Sequence, residues 1–194
     1  LRFTYDNNYF NDPYQGIPVG GYTAIIERLL EKTEVKLNTA YREFMALHSD
    51  EVDKVIYTGM IDEFFDFKLG MLEYRSLRFE NEILDTDNFQ GCAVVNYTDE
   101  NVPYTRIIEH KHFEYANTLR TVISREYPCE WKEGIEPYYP VNDDKNNALY
   151  HEYEKLSKAQ DKVYFGGRLA QYRYYDMDKV VAAALELAES ILKN

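Results

Sequence analysis

The sequence predicts a mixed α/β and α+β fold, in which α/β segments flank a separate antiparallel β-sheet. Two short apolar runs, at residues 53–59 and 162–167, have the near-continuous hydrophobicity of buried parallel strands. The region between them, over residues 72–128, alternates apolar and polar residues between turn signals, as antiparallel strands do. Long helical patterns at residues 144–160 and 176–193 lie on either side of the second apolar run.

The N-terminal third carries helical and strand patterns in alternation. An amphipathic helix is predicted at residues 22–32, because apolar residues recur there at helical spacing. Its predicted buried face consists of Tyr22, Ile26, Leu29 and Leu30. Strands are predicted at residues 34–39 and 53–59, and a short helix ending at a glycine is predicted at residues 61–70.

The middle of the chain is rich in β-branched and aromatic residues. Four segments, at residues 72–84, 89–99, 104–115 and 120–128, predict an antiparallel meander. The last helix is predicted to bury an apolar side made of Val180, Val181, Ala184, Leu185, Ala188, Ile191 and Leu192. A Rossmann sheet needs more parallel strands than these, and the GxGxxG phosphate-binding turn is absent. The α/β segments are therefore interpreted as the second half of a discontinuous domain.

The charge balance restricts the possible ligands. The chain has 22 Lys and Arg residues against 34 Asp and Glu residues, a formal net charge of −12. An acidic surface of this kind repels nucleic acids and anionic membranes, so an anionic ligand would require clustered arginines. No apolar run has the length of a membrane span, and the two cysteines show neither metal-ligand spacing nor a disulfide framework. We therefore expect a cytoplasmic protein without a metal, a nucleic acid or a membrane partner.

One junction between a strand and a helix concentrates polar and aromatic chemistry. The stretch "YFGGRLAQYRYYDMD", residues 164–178, contains two glycines, two arginines and four tyrosines. Paired glycines allow close approach of the backbone to a ligand, and arginines bind phosphate groups with two parallel hydrogen bonds. This junction is the strongest candidate for a binding site that the residues alone provide.

Five motifs together resemble the prokaryotic UDP-galactopyranose mutase family. They are "NNYFNDPYQGIPVGGYT", "FQGCAVVNYTD", "PYTRIIEHKHF", "PYYPVND" and "FGGRLAQYRYYDMD", and they occur in the family's order. The similarity covers essentially all of the chain and corresponds to the C-terminal half of the family. The family's N-terminal glycine-rich FAD motif and its helical substrate-binding domain have no counterpart here.

The resemblance implies an isomerase that interconverts UDP-galactopyranose and UDP-galactofuranose. In this family reduced FAD acts through its N5 atom as a nucleophile at the anomeric carbon, without net redox change. The fold that the resemblance implies is the C-terminal part of a discontinuous Rossmann-like FAD-binding domain plus an antiparallel β-sheet substrate-side domain. The expected full-length protein is a cytoplasmic homodimer, whereas this half is expected to be inactive alone.

The resemblance also implies a division of the chain into regions. Residues 1–30 would form a pocket loop and an amphipathic helix. Residues 31–70 and 160–194 would form the partial FAD-binding domain, and residues 71–159 would form the sheet domain with a connecting helix.

Catalytic and cofactor roles follow from the same resemblance, residue by residue. Arg106 matches an arginine that contacts the substrate diphosphate, and Arg75 matches a second active-site arginine. Arg168 matches an arginine beside the flavin, where it would offset negative charge on the reduced ring or the pyrophosphate. Cofactor contacts are expected at Gly166, Gly167, Arg168 and Met177. Without the resemblance, Arg106 and Arg75 would be interpreted as strand arginines paired with acids.

Aromatic and polar residues would complete the substrate pocket. The expected set is Tyr9, Phe10, Asn96, Tyr139, Tyr174 and Asp176. Aromatic faces suit uracil stacking and sugar packing, and tyrosine hydroxyls add directional hydrogen bonds. Asp176 has an alternative or additional role as a helix N-cap.

Two other functions remain open from the sequence. One is a flavoprotein of amine-oxidase-like architecture that carries out true redox chemistry. The other is an inert fragment that at most binds a nucleotide sugar. Retention of flavin and consumption of electrons during turnover would distinguish the three possibilities.

Overall fold

Helices and strands alternate along residues 11–114 and 116–193, which the computed structural model describes. The helices of this part are α1 (Gly21–Leu30), α2 (Tyr41–His48), α3 (Ile61–Phe64), α4 (Lys111–Glu114), α5 (Asp144–Lys158), α6 (Gly167–Ala170) and α7 (Met177–Lys193). The strands are β1 (Val55–Tyr57), β2 (Tyr74–Leu84), β3 (Val94–Asn96), β4 (Arg106–Glu109), β5 (Thr121–Glu130), β6 (Tyr139–Pro140) and β7 (Val163–Phe165). The predicted mixture of parallel and antiparallel β-structure is confirmed.

The parallel sheet joins β1 to β7, two strands that the apolar runs predicted. Val55 pairs with Val163 and Tyr57 with Phe165, and the amide of Gly166 extends the ladder by donating to the Tyr57 carbonyl at 3.0 Å. The predicted strand at residues 34–39 is wrong, because this stretch forms turns and irregular structure. Its β-forming side chains Val35 and Leu37 are exposed, and no described strand pairs with them.

The antiparallel sheet has five strands in the order β3-β4-β5-β2-β6 and curls into a half-barrel. Each of the four predicted segments contains a strand, but the end of the third is wrong, because residues Lys111–Glu114 form helix α4. A simple meander is also wrong, because β2 lies between β5 and β6 instead of beside β3. Strands β2 and β5 are the two long strands, and they pair at ten positions, from Arg75 with Glu130 to Leu84 with Thr121. That ladder offers many more hydrogen bonds and cross-strand contacts than pairing with the three-residue strand β3 would.

The main apolar core lies where α3, β2, α5 and the turn after α6 meet. Its buried members are Met60, Ile61, Phe65, Leu72, Tyr74, Tyr153 and Tyr172. Helix α5 begins where the sequence predicted, because the Asp143 carboxylate accepts from the Asn146 amide at 2.8 Å as an N-cap. The core is unusually aromatic, so its tyrosine hydroxyls need buried partners.

A buried carboxylate supplies one of these partners. Asp62, which is fully buried, accepts a hydrogen bond from the Leu72 amide at 2.8 Å and another from the Tyr74 hydroxyl at 3.1 Å. Burial raises the pKa of the Asp62 carboxyl, and these two hydrogen bonds offset part of that increase. The Tyr172 hydroxyl donates to the Glu73 carbonyl at 2.6 Å, so the same segment of chain is fixed from both sides.

The amphipathic helices show more exposed apolar surface than the sequence predicted. Tyr22, Ile26, Leu29 and Leu30, the predicted buried face of α1, are 47%, 53%, 73% and 37% exposed. On α7, Val181 and Leu185 are also exposed, whereas Val180 and Ile191 are half-buried. Helical spacing identifies a face that can be covered, but the described residues leave most of the α1 face exposed, and α7 contacts the parallel sheet through Leu187 instead of through Val181 and Leu185.

The predicted helix at residues 61–70 ends early. Helix α3 stops at Phe64, and Asp66 and Phe67 both have left-handed backbone angles (φ 56° and 53°), so the rest of the segment forms turns. Within the described ranges, every helix is too short or too polar to cross a bilayer.

We expect Asp62→Ala to lower the free energy of unfolding by about 2–4 kcal/mol. The substitution leaves the buried Leu72 amide and the Tyr74 hydroxyl without an acceptor, and each such donor costs roughly 1–3 kcal/mol. Urea denaturation followed by circular dichroism measures the change. The matched variant Tyr74→Phe removes only one of the two hydrogen bonds and should cost about 1 kcal/mol. Equal costs for the two variants would contradict this role for Asp62.

Candidate functional site

One face of the antiparallel sheet collects the polar residues of the predicted site. Residues directly opposite each other in an antiparallel ladder project from the same face. Arg106 lies opposite both Asn96 and Glu126, and Arg75 lies opposite both Glu130 and Tyr139. Glu126 and Glu130 are four positions apart on β5, so they share a face as well. The ladder therefore places four predicted site residues, Asn96, Arg75, Arg106 and Tyr139, on one face.

An open cavity of about 1050 Å³ lies against the β2, β4, β5 and β6 part of this face. Its polar lining includes Arg75, Thr105, Arg106, Glu126 and Tyr139. Its apolar lining includes Leu77, Pro128 and Trp131, and the register places the Leu77–Pro128 pair between the rows that hold Arg75 and Arg106. The cavity thus combines apolar and aromatic surface with two guanidinium groups, and its lining also carries Glu73, Glu130, Glu133 and Lys132.

The two sheet arginines differ in their partners. Arg106 Nε lies 3.2 Å from Glu126 Oε1, and 44% of the arginine side chain is exposed. Its terminal amino groups donate to no group in the described ranges. Arg75 is exposed, and its side chain forms neither a hydrogen bond nor an ion pair within the part of the chain that the structure describes. The pairing expected of an ordinary strand arginine is therefore present at Arg106 and not at Arg75.

Arg168 connects two aromatic segments at the edge of the sheet. Its guanidinium donates to the Tyr138 carbonyl at 3.1 Å and to the Tyr175 carbonyl. The same group lies 5.2 Å from the ring centroid of Tyr139 and 5.3 Å from that of Tyr174. These two rings stack on each other at 5.3 Å. Arg168 therefore holds the β6 segment and the segment before α7 together.

Tyr139 lies at the meeting point of the charged groups. Burial, the neighbouring Tyr174 and the Glu126 carboxylate raise the pKa of the Tyr139 hydroxyl, and Arg168 and Arg106 oppose this shift. The electrostatic contact with both arginines shows that the strand site and the junction site adjoin. The structure therefore brings together the two motifs that the sequence suggested separately.

The two glycines of the junction have a packing explanation. A Cβ atom at Gly166 would lie 3.0 Å from Leu187 Cδ2, so a larger residue would require the Leu187 side chain to shift. Gly167 has φ 83°, a left-handed conformation that side chains disfavour. Both features account for glycine without a cofactor, so the expected cofactor contacts of Gly166 and Gly167 remain predictions.

The other predicted site residues lie around this region or outside the described ranges. Tyr174 and Met177 are 60% and 64% exposed. Asp176 is exposed directly before α7, and its carbonyl accepts from the Val180 amide at 3.0 Å, as expected at the start of a helix. Tyr9 and Phe10 fall outside the described residues.

Sequence reasoning missed Glu126, which is the most buried charged group of the cavity. It is 7% exposed, and its carboxylate also accepts from the Thr105 hydroxyl at 3.0 Å. The sequence feature that could have identified Glu126 is a carboxylate in a strand whose neighbouring positions on the same face, Ser124 and Pro128, are uncharged. In the described ranges, no group of three or more His, Cys, Asp and Glu side chains is arranged to hold a metal ion.

Comparison with known proteins agrees with the motifs. A sequence profile described as "UDP-galactopyranose mutase" matches residues 1–174. The chain is 41% identical to a dTDP-fucopyranose mutase of Escherichia coli and 39% identical to a probable UDP-galactopyranose mutase of Klebsiella pneumoniae, in both cases over its whole length. It is 34% identical to the UDP-galactopyranose mutase of Mycoplasma pneumoniae, over 92% of its length. The chain spans 53%, 50% and 48% of these relatives, or about half their length.

We expect Arg168→Met to lower the free energy of unfolding by about 1–3 kcal/mol, since two backbone carbonyls lose a charged donor. Chemical denaturation measures the loss. Arg173→Met is the matched control, because Arg173 is exposed and its side chain makes no hydrogen bond or ion pair within the described residues. The control should stay within about 0.5 kcal/mol of the parent. A similar loss in both variants would exclude the bridging role of Arg168.

Proposed function

Because this chain belongs to the UDP-galactopyranose mutase family, we propose that it is part of a flavin-dependent enzyme that interconverts the pyranose and furanose forms of a nucleotide-linked sugar. The observation that carries the proposal is the pair of guanidinium groups, Arg75 and Arg106, on the cavity face of a chain with a net charge of −12. Local cationic groups in an acidic protein are expected where an anion binds. A nucleoside diphosphate is such an anion.

The proposed substrate is UDP-galactose. A second candidate is dTDP-fucose, which is favoured by the 41% identity to the dTDP-fucopyranose mutase of Escherichia coli. Both molecules carry a nucleoside diphosphate, so the two arginines serve either substrate equally. The candidates differ at the sugar 6-position, where fucose lacks the hydroxyl of galactose. They also differ in the nucleoside, because thymidine has a methyl group on the base and lacks the 2′-hydroxyl of uridine.

Each predicted site residue has a defined task in this proposal. Arg106 and Arg75 bind the diphosphate and stabilise the charge that develops as it leaves the sugar. Tyr139 and Tyr174 pack their rings against the ligand and offer hydroxyl groups for hydrogen bonding. Asn96 and Asp176 add polar contacts at the rim. Tyr9 and Phe10 contribute further aromatic surface.

The residues of the junction fit a flavin. The Arg168 guanidinium lies over the stacked rings of Tyr139 and Tyr174, and the side chain of Met177, three positions after Tyr174, is exposed. Aromatic and apolar side chains can pack against a planar ring system, and a guanidinium can offset the negative charge that such a ring carries when reduced. When bound, FAD in its reduced form would supply the nucleophile for the anomeric carbon. Arg168 would offset the charge of the ring, and Gly166 and Gly167 would border its phosphate groups.

The proposal includes an organisation for the complete protein. Residues 31–70 and 160–194 contribute to a discontinuous Rossmann-like FAD-binding domain, and residues 71–159 form the sheet that faces the substrate. Residues 1–30 form a loop and helix at the pocket. The complete protein is proposed to be a cytoplasmic homodimer. Because the chain spans about half of its relatives, the chain alone is proposed to be inactive.

The decisive experiment uses the complete protein with its flavin either oxidised or chemically reduced. UDP-galactofuranose and dTDP-fucofuranose are supplied separately, and pyranose formation is followed by chromatography. Conversion only with reduced flavin supports the proposal, and the preferred nucleotide sugar identifies the substrate. Bound flavin without conversion in either state would favour the redox alternative. Failure of the complete protein to retain flavin would contradict the enzymatic proposal and leave a nucleotide-sugar-binding role.

In the complete protein, Arg106→Ala should cost about 2–4 kcal/mol of transition-state stabilisation, the range for loss of one preorganised charge-stabilising donor. The ratio kcat/KM with reduced flavin gives this value. Arg125→Ala is the control, because Arg125 lies on the opposite face of the same sheet and pairs with Glu82 at 2.8 Å. Its activity should change by less than about threefold, which is under 1 kcal/mol. A loss below about 1 kcal/mol for Arg106→Ala would remove Arg106 from the diphosphate site.

A further inference from the structure

The buried carboxylate beside Arg106 has no role in the function proposed above. We propose that Glu126 is a positioning residue: it binds the Nε edge of the Arg106 guanidinium and thereby directs the two terminal amino groups into the cavity. The inference rests on the proposed binding of a nucleoside diphosphate by Arg106. It adds a residue that controls how this arginine presents its donors.

The carboxylate of Glu126 is fixed by the neighbouring strand. Its Oε1 atom accepts from Thr105 Oγ1 at 3.0 Å and faces Arg106 Nε at 3.2 Å. The backbone is fixed as well, since the Glu126 carbonyl accepts from the Thr105 amide at 2.8 Å and from the Thr105 hydroxyl at 3.2 Å. Only 10% of the glutamate side chain is exposed. A carboxylate held in this way has little freedom to follow a moving arginine.

The contact is an ion pair at one edge of a rigid group. The guanidinium is a plane with five N–H donors, so a fixed carboxylate 3.2 Å from Nε restricts where the other edges can point. The terminal amino groups donate to nothing in the described ranges, while the arginine side chain is 44% exposed and lines the cavity. These two amino groups are therefore preorganised to bind two oxygens of a phosphate group.

The negative charge of Glu126 has an opposite effect on affinity. It offsets the charge of Arg106 and repels an approaching diphosphate. Glu126 therefore weakens ground-state binding while it improves orientation. A residue that only stabilised the sheet would show neither effect, which separates the two explanations.

The test compares two substitutions in the complete protein. Glu126→Gln keeps an oxygen acceptor for Arg106 Nε and removes the charge. It should bind UDP about three- to tenfold more tightly, because a like charge near the diphosphate is lost, and its kcat should stay within about threefold of the parent. Glu126→Leu removes the acceptor, and its kcat should fall roughly 10- to 100-fold, because the donors of Arg106 lose their orientation. UDP affinity is measured by titration calorimetry, and kcat by turnover with reduced flavin.

Two further variants test whether Glu126 acts through Arg106. In an Arg106→Ala background, Glu126→Leu should cause no further loss of kcat, because the arginine that it positions is gone. Glu82→Leu is the matched control, since Glu82 pairs with Arg125 on the opposite face of the sheet and should leave UDP affinity and kcat unchanged. If Glu126→Leu does not fold, the UDP affinity and kcat of Glu126→Gln, with its thermal midpoint, still decide the question.

Three outcomes would overturn the inference. The first is an unchanged kcat in Glu126→Leu. The second is a loss in the double variant that equals the product of the single losses. The third is no gain of UDP affinity in Glu126→Gln. Failure of the proposed function has a different signature, since the flavin-dependent conversion itself would then be absent in the unsubstituted protein.

Discussion

The hydrogen bonds of the buried Asp62 carboxylate hold together the parts of the molecule that form the site. Asp62 follows the parallel strand β1, and it binds the Leu72 amide and the Tyr74 hydroxyl at the beginning of β2. Tyr74 packs edge-on against Tyr172, whose hydroxyl donates to the Glu73 carbonyl. Tyr172 lies in the segment between Arg168 and Tyr174. One polar network inside an aromatic core therefore determines how the antiparallel sheet meets the junction before α7. The raised pKa of Asp62 is the expected cost of placing the required acceptor in the core.

The three arginines of the candidate site differ in how fully other groups of the chain pair with them. Arg168 satisfies two backbone carbonyls, and Arg106 is paired with Glu126, so these two arginines have structural partners within the chain. Arg75 has no such partner among the described residues. In the proposed function, the unpaired Arg75 would attract the diphosphate, and Arg106, held by Glu126, would bind it. Lysine would supply the charge at either position but not the fixed planar geometry.

Local patterns in the sequence predicted most helices and strands but not how they combine. The strands β1 and β7 and the start of α5 were predictable, because apolar runs and helical periodicity act over short distances. The strand at residues 34–39 was wrong, because strand formation requires a partner that propensity does not reveal. The predicted meander order of the strands was wrong for the same reason, since the long β2–β5 ladder joins segments that are far apart in the sequence. Within the site, motifs identified Arg106 and Arg168, whereas Glu126 became apparent only from the strand register.

The arrangement of the cavity is compatible with relatives that are named for two different nucleotide sugars. In the proposed function, the Arg75 and Arg106 guanidinium groups would contact the feature that UDP-galactose and dTDP-fucose have in common, the diphosphate. Discrimination at the sugar 6-position requires either a polar partner for a hydroxyl group or an apolar contact for a methyl group. A site that hydrogen-bonds a hydroxyl rejects the analogue without it far more strongly than an apolar pocket rejects the opposite change. A strong preference for the galactose form would therefore indicate a polar group near that carbon, and tolerance of both sugars would indicate that the diphosphate contacts provide most of the recognition.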